Sequence, residues 1–264
     1  MTQTSQSKGS RVFITGSSDG LGLGAARLLV KQGHRVTLHA RNHARANDAK
    51  RALPEAESVV IGDVSSIDEM RSVADQANAL GPYQAVIHNV GVGYGGPRVE
   101  TVDGLAQVFA VNVLAPYLLT ALMRRPARLV YLSSGMHSGG DGRLDDPQWK
   151  SRRWNGSQAY SDSKLFDLML AFGVARRWPK VLSNAVDPGW VPTKMGGAGA
   201  PDDLRSGAAT QAWLAVSSDR AAMVTGEYFY HQKTRRPKAA AQRTDLQDGL
   251  LDYCADLTGV SLPE

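Results

Sequence analysis

Short runs of β-branched and aliphatic residues alternate along the chain with longer stretches whose apolar positions recur every three or four residues. RVFIT (11–15) predicts a strand, and Gly20–Gln32 a helix directly after it. RVTLH (35–39) and SVVIG (58–62) predict the second and third strands, followed by a helical pattern from Ile67 to Ala79. QAVIHN (84–89) predicts strand four, Val102–Met123 contains a helix, and RLVYLSS (128–134) predicts strand five. Ser157–Arg177 reads as a strongly amphipathic helix, VLSNAV (181–186) as strand six, Asp203–Ser217 as a helix and GEYFY (226–230) as the last strand. Strands alternating with helices demand crossover connections. The expected fold is therefore α/β, a doubly wound parallel sheet with helices on both faces. No linker, repeat or low-complexity block interrupts the alternation, so residues 1–264 are expected to form a single domain, with 1–10 as a flexible tail. Two longer segments break the rhythm: 135–156, rich in Gly, Asp, Arg and Trp, and 189–202, rich in Gly and Pro. Loops of that length inside a domain are usually functional or mobile.

Bulk properties narrow the setting. With 264 residues, 42% of them hydrophobic, the chain can bury a sizeable core. Its single cysteine, Cys254, has no intrachain partner, which points to a reducing compartment. The start, MTQTSQSKGS, lacks the apolar core of a signal peptide, and no apolar stretch is long enough for a bilayer span. A soluble, cytoplasmic protein is expected. The formal charge of +5 is scattered along the chain. Even the densest basic cluster, KTRRPK (233–238), lacks interleaved aromatics and reads as a solvated loop, not a nucleic-acid site. A mild positive field suits a phosphorylated small molecule instead.

The first predicted strand runs into TGSSDGLG (15–22) and then a helix. Glycines at such a turn let the backbone approach a ligand, and the helix N-terminus offers free N–H groups to a phosphate. The same stretch contains GSSDG, which formally fits the nucleophile elbow of a hydrolase with Ser18 as nucleophile. Position opposes that reading. Such an enzyme needs earlier strands to help build its oxyanion hole, and here only a polar tail precedes the first strand. No P-loop lysine follows the glycines, which argues against a nucleotide triphosphatase. A site that prefers NAD carries an acidic residue about 20 residues beyond the glycines, on the ribose hydroxyls. Between Gly33 and Asn47 there is none, and Arg41 stands where a 2′-phosphate would sit, with His39, His43 and Arg45 nearby. NADP(H) is the expected cofactor. Asp63, after the third strand, fits either an adenine contact or a cap on the next helix. In YSDSK (160–164), Tyr160 and Lys164 share one face of a helix, a turn apart. A phenol ordinarily titrates at about 10. A neighbouring ammonium favours its ionised form, which suits it to proton transfer near neutral pH.

TGSSDGLG, HNVG (88–91), VN (111–112), LSS (132–134), YSDSK and DPGWVPTK (187–194) occur together in the order and near the spacing of the short-chain dehydrogenase/reductase family. The sequence resembles that family over nearly its whole length. The resemblance implies a Rossmann-type sheet and a catalytic tetrad of Asn112, Ser134, Tyr160 and Lys164. Tyr160 would be the general acid in reduction or the base in oxidation, and Lys164 would tune it and hold the nicotinamide ribose. Ser134 would hydrogen-bond the carbonyl oxygen, and Asn112 would hold a water that links Lys164 to solvent. Asp63 matches the family's adenine contact, Asn89 the residue that ties the central strands beside the cofactor, and Val191 with Thr193 the contacts around the nicotinamide amide. Gly16, Ser18, Gly20, Leu21 and Gly22 of the glycine turn, Arg41, Asn42, Val64, Gly91, Pro188 and Gly189 complete the expected cofactor-binding set with Tyr160 and Lys164. No metal site is expected.

Departures from the family pattern bear on the substrate. HNVG replaces the commoner NNAG, and His88 reads as a packed strand residue ahead of a catalyst. The gap from Ser134 to Tyr160 is longer than in most members, as in the retinol-dehydrogenase-like branch, which SSGMH, AYSDSKL, PGWVPT and GEYF also resemble. Trp149 and Trp154 in one long loop, and Trp190 and Met195 in the other, fit a lid over a fairly apolar ketone or aldehyde, or equally a set of loop anchors. Two function classes follow. One is an NADP(H)-dependent carbonyl reductase or secondary-alcohol dehydrogenase acting on a small molecule; the other is a non-catalytic NADP(H)-binding regulator on the same fold. Family members often self-associate through the helices at 102–123 and 157–177, which leaves homo-oligomerisation open.

Overall fold

A computed structural model describes residues 9–264. At its centre is β1 (Arg11–Ile14), whose Val12, Phe13 and Ile14 are wholly buried. A strand covered on both faces needs such a continuous apolar run, not an alternation. β1 pairs in parallel with β2 (Arg35–Ala40) on one side and β4 (Ala85–His88) on the other. β3 (Ser58–Ile61) extends the sheet beyond β2, while β5 (Arg128–Leu132), β6 (Leu182–Asp187) and β7 (Tyr228–Tyr230) extend it beyond β4, all parallel. The order is β3-β2-β1-β4-β5-β6-β7, with β8 (Lys233–Thr234) at the edge beyond β7, so the winding reverses between β1 and β4. That reversal opens a crevice at the carboxyl ends of the central strands, where open α/β sheets bind ligands.

Helices cover both faces and divide the core in two. On one face, α1 (Gly20–Lys31) packs against α7 (Leu204–Val216), with α2 (His43–Ala52) beside them over Val12, Ile14 and Leu38. On the other lie α3 (Ile67–Leu80), α5 (Ala115–Leu122), α6 (Gly156–Arg177) and α8 (Thr244–Thr258), over Phe13, Tyr131 and Leu129. The doubly wound parallel sheet expected from the strand–helix alternation is the observed architecture. Among the described residues no helix is long and apolar enough to cross a membrane.

Four local differences have physical causes. α2 has no counterpart among the predicted elements because only Ala46 and Ala49 of its residues are buried, so no apolar stripe marks it. The helix expected within 102–123 is α4 (Gln107–Phe109), a π-helical turn (Ala110–Leu114) and α5 in succession. α6 is not amphipathic, since every residue from Ala159 to Ala175 is buried. Its outward face is covered by α8, a helix beyond the last predicted strand. A side chain on Gly173 of α6 would come within 3.1 Å of Leu251, which marks how closely the two helices approach. The chain beyond α8 fastens to the same region, where the Tyr117 hydroxyl donates to Val260 O and the Trp178 indole to Pro263 O, each at 2.7 Å. Finally, part of KTRRPK forms β8 (Lys233–Thr234), a short exposed strand antiparallel to β7. Of the expected tail at 1–10, residues 1–8 lie outside the described residues, while Ser10 N donates to His34 Nδ1 at 3.1 Å.

Truncating Leu251 to alanine should open a cavity between α6 and α8. The expected loss is about 2–5 kcal/mol of unfolding free energy, read as a lower urea midpoint with little change in slope.

Candidate active site

The glycine turn is built by close approach. Gly16 and Gly20 have φ of +61° and +55°, in the left-handed region where a side chain is strained. Gly22 lies in the first turn of α1, and a Cβ there would sit 2.5 Å from Asn89 Nδ2 and 2.6 Å from Gly16 O. Asn89, just past β4, donates through Nδ2 to Thr15 O at 2.9 Å and Gly16 O at 3.0 Å. Thr15 Oγ1 accepts in return from the Asn89 and Val90 amides, at 3.0 and 3.1 Å. His39 fixes the other side of the turn. Its Nδ1 accepts from Gly16 N at 3.0 Å, which leaves Nε2 to donate to Gly62 O at 2.9 Å. Burial holds its pKa below the ordinary 6.5 of histidine. His39 is thus a neutral strut between β1 and β3, and not part of the basic rim that its neighbours in sequence imply.

Ser18 Oγ accepts from Arg45 Nη2 at 3.1 Å, and Arg45 is further paired with Asp19 at 2.6 Å and Asp48 at 2.9 Å. A guanidinium cannot take the serine proton, so this is no nucleophile–base pair. Arg41 is exposed just beyond β2. Asn42 caps α2, its side chain accepting from Arg45 N at 2.9 Å. Asp63 Oδ1 accepts from Ser65 N at 3.0 Å, so the carboxylate shapes the turn into α3, and the Val64 side chain is buried in the core.

Around the second half of the crevice, α6 brings Tyr160 and Lys164 beside the end of β5. Lys164 Nζ donates to Leu132 O and to Asp167 Oδ2, both at 2.8 Å, and lies 5.7 Å from the centre of the Tyr160 ring. Ser133 Oγ donates to Lys164 O at 2.7 Å and so locks β5 to α6. Ser134 caps a 3₁₀ turn (Gly135–Gly139), accepting from Met136 N at 3.2 Å. Asn112 sits in the π-turn, and its side chain is held by neighbouring groups. Oδ1 accepts from Val92 N at 2.8 Å, and Nδ2 donates to Val92 O and Ser163 Oγ at 3.1 and 3.0 Å. π-turns of this kind recur at functional sites.

A cleft of about 540 Å³ opens here. Leu21, Asn89, Gly91, Ser134, Tyr160 and Lys164 line it, facing Pro188, Gly189, Val191 and Thr193 of the loop after β6. Of the other expected residues, Gly16, Ser18, Gly20, Gly22, Arg41, Asn42, Asp63 and Val64 lie outside this wall, at the carboxyl ends of β1, β2 and β3, and Asn112 lies behind it. Loop 189–202 is pinned to the glycine turn by Lys194 Nζ on Asp19 at 2.8 Å. Trp190, Met195 and Tyr94 stand half exposed at the mouth. The Met195 sulfur is 4.0 Å from the Tyr160 hydroxyl. Loop 135–156 behaves differently. Trp149 is buried under the Arg152 guanidinium at 3.8 Å and packs edge-on to Trp154, while Arg152 pairs with Asp141 and Asp162 at 3.0 and 3.1 Å. These two tryptophans fasten the loop. Only Trp190 and Met195 of the four expected lid residues line the cleft.

Among the residues near the site that carry no role from the sequence reading are Asp167 and Ser133. Asp167 has a signal in the sequence, an acid one turn beyond Lys164 in an apolar run; Ser133 has none beyond its place in LSS. His88 is packed, as expected, with Nε2 bonded to Thr120 at 3.0 Å and its ring 4.8 Å from that of Tyr131.

The chain is similar to known proteins over most of its length. The family described as short chain dehydrogenase matches residues 10–136. An uncharacterised oxidoreductase of Emericella nidulans is 45% identical over 96% of this chain and 98% of its own length. Retinol dehydrogenase 14 of Homo sapiens is 32% identical over 71% of this chain and 63% of its own. The crystal structure of an uncharacterised protein from Mycobacterium paratuberculosis superposes with a TM-score of 0.83 at 26% identity, covering 97% of this chain and 95% of that one.

Burial pushes His88 down to about 3, from 6.5. The unfolded chain therefore takes up this proton first, and stability present above pH 6.5 is lost as pH falls toward 3. The loss accumulates at about 1.4 kcal/mol per pH unit. His88→Asn, neutral throughout, should show a smaller drop in urea midpoint between pH 7 and pH 4.5 than the parent protein. Equal drops would place the titrating group elsewhere.

Proposed function

The chain belongs to the short-chain dehydrogenase/reductase family of oxidoreductases, and we propose that it is an NADP(H)-dependent carbonyl reductase or secondary-alcohol dehydrogenase for a fairly apolar ketone or aldehyde. The observation that carries this reading is the convergence of Ser134, Tyr160 and Lys164 on one cleft at the sheet's switch point. A dinucleotide fits the residues present. The turn carries glycine at 16, 20 and 22 beside the N-terminus of α1, which lets the backbone approach a pyrophosphate closely. Asn89 and Gly91 would back the nicotinamide half, and Val191 and Thr193 would flank it. Arg41, with no acidic residue between Gly33 and Asn47, favours NADP(H). Arg45 puts a second guanidinium at Ser18. Asn42 and Asp63 would reach the adenosine half only with atoms their caps leave free, and Val64 only through its backbone.

Bound there, the nicotinamide supplies or accepts the hydride. Lys164 gives two of its three ammonium protons to Leu132 O and Asp167, which leaves one for the cleft. Its positive charge would stabilise negative charge that develops on the Tyr160 oxygen during the proton exchange. Tyr160 would donate its proton to the carbonyl oxygen in reduction and take it back in oxidation, while the Ser134 hydroxyl stabilises charge on that oxygen. Asn112 would act from behind the wall, holding the Val92 backbone and, through Ser163, the first turn of α6. Trp190, Met195 and Tyr94 at the mouth favour an apolar substrate body. Loop 189–202, tied by Lys194 to the glycine turn, is placed to cover cofactor and substrate together.

Tyr160→Phe should keep NADPH binding, read by thermal shift, and lose about two to four orders of magnitude in turnover across a panel of apolar aldehydes and ketones. Near-normal turnover would remove Tyr160 from the mechanism, and a parent protein without turnover would leave a dinucleotide-binding regulator. Arg41→Ala should reduce the ratio of kcat/KM for NADPH over NADH about ten- to a hundredfold, because a hydrogen bond to a charged group contributes about 1.5–3 kcal/mol. An unchanged ratio would shift the phosphate contact to Arg45.

A further inference from the structure

Asp167 is an acid inside a helix that is buried on every side. It lies one turn beyond Lys164 on α6, and both side chains are almost wholly buried. Its Oδ2 accepts from Lys164 Nζ at 2.8 Å, while Leu132 O takes a second donor of the same ammonium. Packing does not call for an acid here. A buried ion pair typically contributes little over an apolar pair of similar volume. Burial pushes the Asp167 carboxyl up to about 7, against the pull of Lys164. Burial likewise opposes the charge on Lys164, but Asp167, then Tyr160, hold its pKa above the ordinary value.

The other groups around the pair are neutral. Tyr131 of β5 is kept un-ionised first by burial and further by the charge of Asp167, and its hydroxyl is 2.8 Å from Thr120 Oγ1. His88 of β4 is held neutral by burial and packs on Tyr131. Tyr160 shares the cleft with Lys164, its ring centre 5.7 Å from Nζ, and Tyr94, Asp187, Asp202 and Tyr230 line the same cleft. Of the field that Lys164 exerts on Tyr160, Asp167 cancels a part. The same hydrogen bond, with that to Leu132 O, fixes Nζ against the β5 side of α6.

Resting on the oxidoreductase reading above, we propose that Asp167 is a positioning residue that anchors Lys164 and offsets part of its charge. Tyr160 then keeps the proton it donates to a carbonyl to higher pH than an unopposed lysine would allow. Asp167 acts through Lys164 and touches neither substrate nor cofactor. The consequence is a bias of the site toward its proton-donating form.

Two readouts test this on the full chain. One is the pH profile of NADPH-dependent carbonyl reduction. The other is the phenolate absorbance of Tyr160, isolated as the difference between each protein and the same protein carrying Tyr160→Phe. Asp167→Asn keeps the shape and an acceptor for Nζ but removes the charge. Over the pH range in which Lys164 stays charged, the variant's alkaline loss of activity and its phenolate signal should both move to lower pH by about one unit, a tenfold change in the ionisation constant. Asp167→Glu, which keeps the charge, should retain the parent profile. Circular dichroism establishes that each variant is folded, and Asp167→Ser, with room for a water on Nζ, replaces the Asn variant if that one does not fold. An unshifted phenolate titration in the charge-removed variant, or a Glu variant shifted as far, overturns the proposal. The phenolate signal needs no substrate. A parent protein without turnover would thus count against the oxidoreductase reading alone, and an unshifted titration against the role of Asp167 alone.

Discussion

Between the first turn of α1 and the end of β4 there is no room for one more carbon. A methyl group at Gly22 would collide with the amide of Asn89 and the carbonyl of Gly16. Much of the site follows from that contact. Because α1 comes so close, Asn89 reaches both Thr15 O and Gly16 O, and β4 is held to the turn after β1. Because the turn is held from that side by Asn89 and from the other by His39, its free amides keep a fixed direction. A phosphate-binding turn works through the preorganisation of backbone dipoles, and rigid neighbours supply it.

The second half of the site depends on burial. α6 is enclosed by the sheet, the π-turn before α5 and α8, so its polar side chains have protein partners in place of water. Ser133, Ser163, Lys164 and Asp167 satisfy one another and the adjoining backbone. In such surroundings one charge acts on its neighbour far more strongly than at a surface. That gives a lysine inside the fold leverage over a phenol, and an acid beside it leverage over the lysine.

What could be read from the sequence is what leaves a local trace. The parallel strands are short runs rich in apolar and β-branched residues, and all seven were legible within a residue or two. Tyr160, Lys164 and Ser134 could be placed because their spacing and their position after a strand are local. α2 was not legible because a helix that buries only two alanines has no stripe. α8 did have one, at Leu246, Leu250, Tyr253, Cys254 and Leu257, and overlooking it also made α6 look amphipathic, since the cover on its outer face was missing. His39, expected among the basic residues of a rim, and Trp149, left between lid and loop anchor, needed the structure for a shared reason. Residue type and neighbourhood in sequence do not say which way a side chain turns, and His39 turns into the sheet while Trp149 turns under Arg152. Asp167 was visible as an acid in an apolar run, but its importance appears only when both it and Lys164 are seen to be buried.

The late position of α8 in the chain bears on how the protein is made. Sheet order lets β1 to β6 assemble as they leave the ribosome, since each strand's neighbours lie upstream or close behind. α6 is synthesised before the helix that covers it. From the time Arg177 emerges until Thr258 does, roughly 4–16 s at about 5–20 residues per second, the face around Gly173 and Phe172 has no partner. A chain stalled in that interval presents an apolar helix face to solvent or to chaperones. Delayed closure by α8 thus leaves that face uncovered through most of the last third of translation.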